Sequence, residues 1–477
     1  MALRSRLTPR LPTQLLLILV LALPLLAACG GSAAAPSSNI SSGLSPAGTA
    51  APPAEQPQAP ISAAPTAAPA ATAALAAEAP AAVSEPAKGE PAAGDIARNP
   101  AGAPSGGAIG PLPQTTPIAP PGPRPNNQQG APLKAGEVDD NADFAQYLEY
   151  LRSYNGPPAH QVDVSERYIL TVMNERQQPV LDARVRLFDA QQLVFEGRTY
   201  AGGKTIFFPR AAGLSPNANT LRVQIEKGNS VAEGQLKRGQ DGEQTFVLRG
   251  ATALPQKPRL DVLFLLDATG SMGDEISQIQ KTIASIAERI DRIEPRPELR
   301  LGLVAYRDRG DDYVTRVYDF TPDLAQFQQL LASVSADGGG DTPESLNEGL
   351  HDAVQQVGWT DDAVRLIFLV ADAPPHLDYP QDYDYIKEAR VAVSKGIKIY
   401  PIAASNTEDD AEYIFRQLAQ QTLGHFIFLT YQPGQNAGTP GETTTHNVDP
   451  EAFTVERLDD LVVQVIQHEL ALAQGAS

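Results

Sequence analysis

Leu260-Asp261-Val262-Leu263-Phe264-Leu265-Leu266 runs straight into Asp267-Ala268-Thr269-Gly270-Ser271-Met272. An apolar run of strand length that stops at a carboxylate reads as a buried strand, and the glycine behind it allows a turn. Asp267, Thr269 and Ser271 then place a carboxylate and two hydroxyls at alternate positions just past the strand end. Hard oxygen donors gathered there suit a hard divalent cation, Mg²⁺ first and Mn²⁺ second.

Downstream the chain alternates between strand and helix. Strands are predicted at Leu260 to Leu266, Leu299 to Tyr306, Val314 to Phe320, Val364 to Val370, Ile397 to Ile402 and His425 to Thr430. Helical stretches lie between them at Gly273 to Arg292, Asp323 to Ser333, Pro343 to Val357, Tyr383 to Ser394, Asp409 to Gln421 and Val455 to Leu472. Uninterrupted apolar strands are what helices on both faces of a parallel sheet require. The pattern therefore predicts an α/β domain over residues 258–473, doubly wound on a mostly parallel six-stranded sheet of Rossmann-like type. Val314 to Phe320 alternates and has short connections, which marks an antiparallel edge strand. Sheets of this kind bind ligands beyond the carboxyl ends of their strands, where the strand order reverses.

Two more oxygen-bearing loops fall at such ends. Gly338-Gly339-Gly340-Asp341-Thr342-Pro343-Glu344 opens a helix, and Leu369-Val370-Ala371-Asp372 is a second apolar strand ending in Asp. Together with the first loop, this set resembles the metal-ion-dependent adhesion site of the von Willebrand factor type A domain, with Thr269 standing for the first serine of its Asp-x-Ser-x-Ser signature. Val304-Ala305-Tyr306-Arg307-Asp308 and Asp372-Ala373-Pro374-Pro375-His376 are similar to the branch found in bacterial proteins and with alpha-kinases. The resemblance implies a metal held by Asp267, Thr269, Ser271, Thr342 and Asp372, with Asp341 as the alternative to Thr342 in its loop. It also implies a rim formed by Arg307, Asp308 and His376. Such a metal would accept an acidic side chain of a protein partner.

Catalytic readings fit less well. A haloacid-dehalogenase-type phosphatase needs a second Asp where Thr269 stands, so its general acid is missing. The six histidines are scattered without a His-Glu-x-x-His pattern, and Gly270-Ser271-Met272-Gly273 is not a nucleophile elbow. The expectation is a binding protein rather than an enzyme: an adhesion module, or alternatively an envelope assembly or signalling scaffold using the same site.

Before this domain the periodicity changes to two. Tyr168 to Val172, Ala183 to Leu187, Leu221 to Ile225 and Thr245 to Leu248 read as short strands separated by Gly, Pro and Asn. A small all-β sandwich is predicted over residues 160–250. Its Gln178-Pro179-Val180 and Gly203-Lys204-Thr205 stretches are similar to prealbumin-like accessory sandwiches. A short helix is predicted within 139–158, where Phe144, Tyr147, Leu148 and Leu151 share one face; Asp139, Asp140 or Asn141 are its candidate caps.

Residues 29–138 are Ala, Pro, Ser, Thr and Gly with few charges. They hold 21 of the 42 prolines, and no aromatic residue precedes Phe144. Such a stretch cannot bury enough apolar surface to offset its ordering entropy, so it reads as a disordered stalk dispensable for folding. Residues 1–28 carry Arg4, Arg6 and Arg10 ahead of a leucine-rich run, the layout of a secretory signal. That run ends Leu26-Ala27-Ala28-Cys29-Gly30, which resembles a bacterial lipobox and implies lipidation of Cys29. The net charge of -19 argues against nucleic acid and against electrostatic docking to anionic lipid. The expected location is therefore the outer face of the cell membrane or another envelope membrane, reached through the lipid alone. Cys29→Ser should abolish labelling by a fatty-acid probe and release the chain from membranes; a variant still labelled and still membrane-bound would refute the lipobox.

Overall fold

The computed structural model describes residues 131–240, 242–252, 257–435 and 439–475. Cys29, the signal segment and all of the proposed stalk up to residue 130 lie outside them. Among the described residues, no helix is long and apolar enough to cross a membrane.

The first described element corrects the linker boundary. Lys134–Val138 is a strand, β1, although the sequence assigns these residues to the stalk. It contains no aromatic or β-branched residue before Val138, so strand propensity alone gives it little weight. Tertiary packing decides its state instead. Gly136 lies where a Cβ would meet Phe453 at 2.6 Å and Phe428 at 2.8 Å, so a bare backbone is what allows those two rings to pack there. Phe144–Ser153 then forms α1, capped by Asp143 accepting from the Gln146 amide rather than by the earlier acids.

Seven strands follow in two sheets. These are β2 Tyr168–Met173, β3 Arg184–Asp189, β4 Gln192–Arg198, β5 Lys204–Phe207, β6 Thr220–Lys227, β7 Ser230–Lys237 and β8 Glu243–Val247. One sheet runs β5-β2-β8 and the other β4-β3-β6-β7. Leu170, Val172, Val185, Leu187, Val223 and Phe207 meet in the core between them. This is the small sandwich that the period-two pattern predicts.

The α/β body comprises β9 Arg259–Asp267, α2 Ile276–Ile290, β10 Glu298–Tyr306, β11 Thr315–Thr321, α3 Leu324–Ala332, α4 Leu346–Gln355, β12 Ala363–Ala371, α5 Tyr385–Lys395, β13 Ile397–Ala403, α6 Asp409–Gln421, β14 Phe426–Thr430, β15 Glu456–Arg457 and α7 Leu458–Ala473. Its sheet has eight strands in the order β11-β10-β9-β12-β13-β14-β1-β15, not six. β10, β9, β12, β13 and β14, neighbours in that order, are mutually parallel. β11 is antiparallel at one edge, and β1 is antiparallel to both β14 and β15 at the other. The two added strands come from the supposed stalk and from a two-residue segment too short to carry a period.

Alternate residues of β9 serve opposite faces. Val262, Phe264 and Leu266 pack under α2, α3 and α7, whereas Leu263 and Leu265 pack under α4, α5 and α6. Chain order passes from β9 outward to β10, then back across to β12, so the reversal falls between β9 and β12. The carboxyl ends of those two strands carry Asp267 and Asp372.

The sandwich joins the opposite edge of the sheet. Arg365, near the start of β12, donates from Nη1 to Asp182 Oδ1 at 2.9 Å and from Nη2 to Oδ2 at 3.2 Å. Both side chains are almost wholly buried. Arg365 and Asp372 are seven residues apart, roughly 23 Å along an extended strand, so this contact lies far from the carboxyl edge. Arg416 of α6 pairs with Asp140 at 2.6 and 2.9 Å and stacks over Tyr150, which fixes α1 to the α/β body. A chain truncated to begin after Val138 should lose β1 and expose the flank of β14. Its melting temperature should fall by at least about 5 °C; an unchanged melting temperature would mean that β1 contributes nothing to the sheet.

Candidate metal centre

The site begins with strand register. Tyr306 of β10 is paired directly with Asp267 of β9, and its hydroxyl donates to Asp267 Oδ2 at 3.1 Å. Asp267 Oδ1 accepts from the Thr269 amide at 3.0 Å and from Thr269 Oγ1 at 2.6 Å. Asp267 and Thr269 are both fully buried. The chain then turns through Gly270, whose amide donates to the Gly338 carbonyl at 3.0 Å. A Cβ on Gly270 would meet that carbonyl oxygen at 2.7 Å, so only glycine lets the two loops touch.

Ser271 completes the convergence. Its Oγ lies 3.1 Å from Thr269 Oγ1 and donates to Asp372 Oδ1 at 3.0 Å. Four of the residues predicted for the metal, Asp267, Thr269, Ser271 and Asp372, thus form one chain of oxygen atoms, with Ser271 on its exposed side. Thr342 is also exposed, at the glycine loop, and among the described residues no hydrogen bond ties it to the other four. Asp341 belongs elsewhere: a carboxylate oxygen of Asp341, one of Asp308 and a ring nitrogen of His376 all lie within 4.8 Å of one another.

The rim residues need correction. Arg307, Asp308 and His376 are 4 %, 5 % and 3 % exposed, so they are walls of the loops rather than a solvated rim. The Arg307 guanidinium donates to the Ala268 carbonyl at 3.1 Å and to the Ser335 carbonyl at 2.8 Å, bracing the first loop from behind. Asp308 Oδ1 accepts from Ser345 Oγ at 3.0 Å, and Ser345 immediately precedes α4. The strand ending in Val304-Ala305-Tyr306 carries these residues inward as it turns, which a loop reading of the sequence does not foresee.

Glu344 is the residue that sequence reasoning left without a role. It is 2 % exposed, its Oε2 is buried without a hydrogen-bond partner, and Oε1 sits 2.7 Å from where a Gly339 Cβ would stand. Gly339 has φ +72° and Gly338 has φ +78°, so the loop turns over this carboxyl in a conformation open mainly to glycine. An acid four residues after a triple glycine, just ahead of a helix start, was the available signal.

Electrostatics here are unbalanced. Burial raises the carboxyl of Asp267 above its usual range against the hydrogen bonds from Thr269 and Tyr306. Burial and repulsion from Asp267 likewise raise Asp372. Glu344 is pushed up to about 9 by burial, with Asp267, Asp308, Asp372 and Asp311 adding repulsion. Among the described residues no Arg or Lys forms an ion pair with Asp267, Asp372 or Glu344. Three buried acids, two hydroxyls and an orphaned carboxyl oxygen fit a small hard cation.

Residues 261–431 match the family model of the von Willebrand factor A domain, and the α/β body is a domain of that class. The alpha-protein kinase vwkA of Dictyostelium discoideum is 28 % identical over 170 residues, which are 35 % of this chain and 25 % of that protein. Human von Willebrand factor A domain-containing protein 7 is 32 % identical over 166 residues, 34 % of this chain and 17 % of that one. The chain therefore spans a quarter or less of these curated relatives. Among solved structures, BatB of Bacteroides thetaiotaomicron is similar at 13 % identity and a TM-score of 0.31, over 44 % of this chain and 98 % of that one. Proximal thread matrix protein 1 of the mussel byssus, solved with zinc in its metal-ion-dependent adhesion site, matches at 14 % identity and a TM-score of 0.30, over 36 % and 41 %.

Glu344 makes the metal-free protein sensitive to pH in a definite direction. A raised carboxyl binds its proton more tightly in the folded chain, so its penalty is absent below the ordinary value of 4.5 and grows until the folded value of about 9. In chelator, stability should fall as pH rises from 5 to 8. Glu344→Gln should lessen that fall by about 2 kcal/mol. Parallel stability curves for the two proteins would show that Glu344 carries no such penalty.

Proposed function

We propose that this chain is an envelope-anchored binding protein whose von Willebrand factor A domain takes up a divalent cation and, through it, an acidic side chain of a protein partner. The observation that carries the reading is the continuous contact of Asp267, Thr269, Ser271 and Asp372, open to solvent only at Ser271. Domains of this class generally serve as interaction modules, which supports binding over catalysis. The donor set supports it too, since the atoms that converge are all oxygens, as a hard divalent cation prefers.

In this reading Thr269 and Ser271 offer their hydroxyls to the ion, while Asp267 and Asp372 hold it or its water. Tyr306 and the Thr269 amide keep Asp267 aimed, and Arg307 holds the loop that bears them. Few formal charges reach the ion, so a bound Mg²⁺ would remain a good acceptor for one more carboxylate. Cys29 would supply the anchor, with the stalk holding the folded domains clear of the membrane by roughly 60 Å as a coil.

Saturating Mg²⁺ should stabilise the protein by about 2.7 kcal/mol at a hundredfold excess over Kd. Asp267→Ala and Ser271→Ala should each lose most of that gain, measured by thermal unfolding. Both variants, and the native protein in chelator, should also fail to retain envelope proteins that the native protein retains with Mg²⁺. Undiminished retention by Asp267→Ala in chelator would refute the metal-dependent mechanism.

A further inference from the structure

Next to the oxygen-only site lies a set of different chemistry. Asp308 follows β10, Asp341 lies on the glycine loop and His376 follows β12, yet one ligand atom from each falls within a 4.8 Å cluster. We propose that Asp308, Asp341 and His376 form a second, separate metal site, selective for Zn²⁺ or a similar first-row transition ion. None of the three contributes to the contacts joining Asp267, Thr269, Ser271 and Asp372, so the inference stands apart from the function proposed for that site.

An acidic pair near a loop would mean little alone. The imidazole supplies the independent observation. His376 is 3 % exposed, and its Nε2 is buried with no hydrogen-bond partner. The closest acidic oxygen to that nitrogen is Asp308 Oδ1 at 3.5 Å, too long for a good hydrogen bond. It is, however, close to the roughly 3.4 Å separation of two ligands on a tetrahedral ion with bonds of about 2.1 Å. A buried ring nitrogen with no donor or acceptor of its own is an expense to the fold unless something occupies its lone pair.

The surroundings already orient the ring as a metal ligand. Nδ1 lies 2.8 Å from Asp378 Oδ1, the carboxylate–histidine arrangement that turns Nε2 toward a metal. Tyr379 stacks on the imidazole at 3.9 Å between ring centres, and Asn347 Nδ2 donates to the His376 carbonyl at 2.8 Å. Asp308 is likewise fixed, its Oδ1 accepting from Ser345 Oγ at 3.0 Å. Asp341 is the exposed member, and it can close by a small movement of the glycine loop.

The donor set decides which ion. One imidazole nitrogen with two carboxylates is softer than an all-oxygen set, and favours Zn²⁺ over Mg²⁺ or Ca²⁺. Three protein ligands leave a fourth tetrahedral position, on the exposed side of Asp341, for water or an outside ligand. Binding would clamp the tip of the glycine loop against two rigid strand ends, and Thr342 would be held with it.

Zn²⁺ titration of the metal-stripped full-length chain by calorimetry, with Mg²⁺ in excess to fill the oxygen site, tests the proposal. Binding of a single Zn²⁺ should persist in Ser271→Ala and weaken at least about tenfold in Asp341→Asn and His376→Gln. Asp378→Asn, at an exposed position, should weaken it about 10- to 100-fold through loss of orientation. Co²⁺ in the same site should give a visible d–d spectrum that His376→Gln alters. Asp341→Asn keeps the test sound if His376→Gln folds poorly, since Asp341 is exposed. Zn²⁺ binding that is lost in Ser271→Ala but kept in Asp341→Asn would overturn the assignment, as would the absence of any Zn²⁺ binding by the native chain.

Discussion

Repulsion among buried carboxylates is the constraint on which the carboxyl edge depends. Asp267 must sit at the end of β9 because six apolar side chains of that strand are buried on both faces, which leaves no freedom to slide. Asp372 is fixed in the same way by β12. The parallel ladder then sets these two acids beside each other, and the switch in strand order opens a crevice above them. Hydrogen bonds from Thr269, Ser271 and Tyr306 orient the oxygens but bring no positive charge. The Arg307 guanidinium is taken up by the carbonyls of Ala268 and Ser335.

Stability for this arrangement comes from the rest of the fold. Buried ion pairs are found away from the site. Arg365 meets Asp182 where the sandwich joins the sheet, Arg416 meets Asp140 and Glu412 behind α1, and Lys398 meets Glu469 under α7 at 2.6 Å. Removing one partner from such a pair strands a charge in the interior and costs about 3–5 kcal/mol. Arg365–Asp182, Arg416–Asp140 and Lys398–Glu469 each join segments distant in sequence, so the sandwich, the N-terminal strand and helix, and the α/β body are held as one unit. The site can then carry unfavourable charge because its supports do not.

Legibility followed the physics of each segment. Strands buried on both faces announce themselves as apolar runs, so β9, β12 and β13 were readable to within a residue. β11, with one exposed face, was readable as an antiparallel edge from its alternation. Lys134–Val138 was not, because small residues were chosen there to admit Phe428 and Phe453, and smallness looks the same in a stalk. Asp267, Thr269, Ser271 and Asp372 were found because each follows a strand or its turn. Arg307, Asp308 and His376 were placed on a rim by the family resemblance; here the loops fold back and bury them. Tyr306 could have been found from register alone, since two parallel strands leaving the sheet together put it opposite Asp267.

Charge also explains why binding at this edge should be conditional. The whole chain is strongly acidic at -19, and Asp267, Asp308, Asp311, Glu344 and Asp372 crowd one set of loops. An acidic partner approaching them meets a field of its own sign, unscreened where the groups are buried. Direct contact with a carboxylate is therefore unfavourable until something neutralises the site. A cation held by the Thr269 and Ser271 hydroxyls would offset part of that charge and offer a carboxylate a direct ligand position, without demanding any rearrangement of the strands. On the proposed reading the acids serve two ends: they draw the ion in, and in its absence they keep anionic partners out.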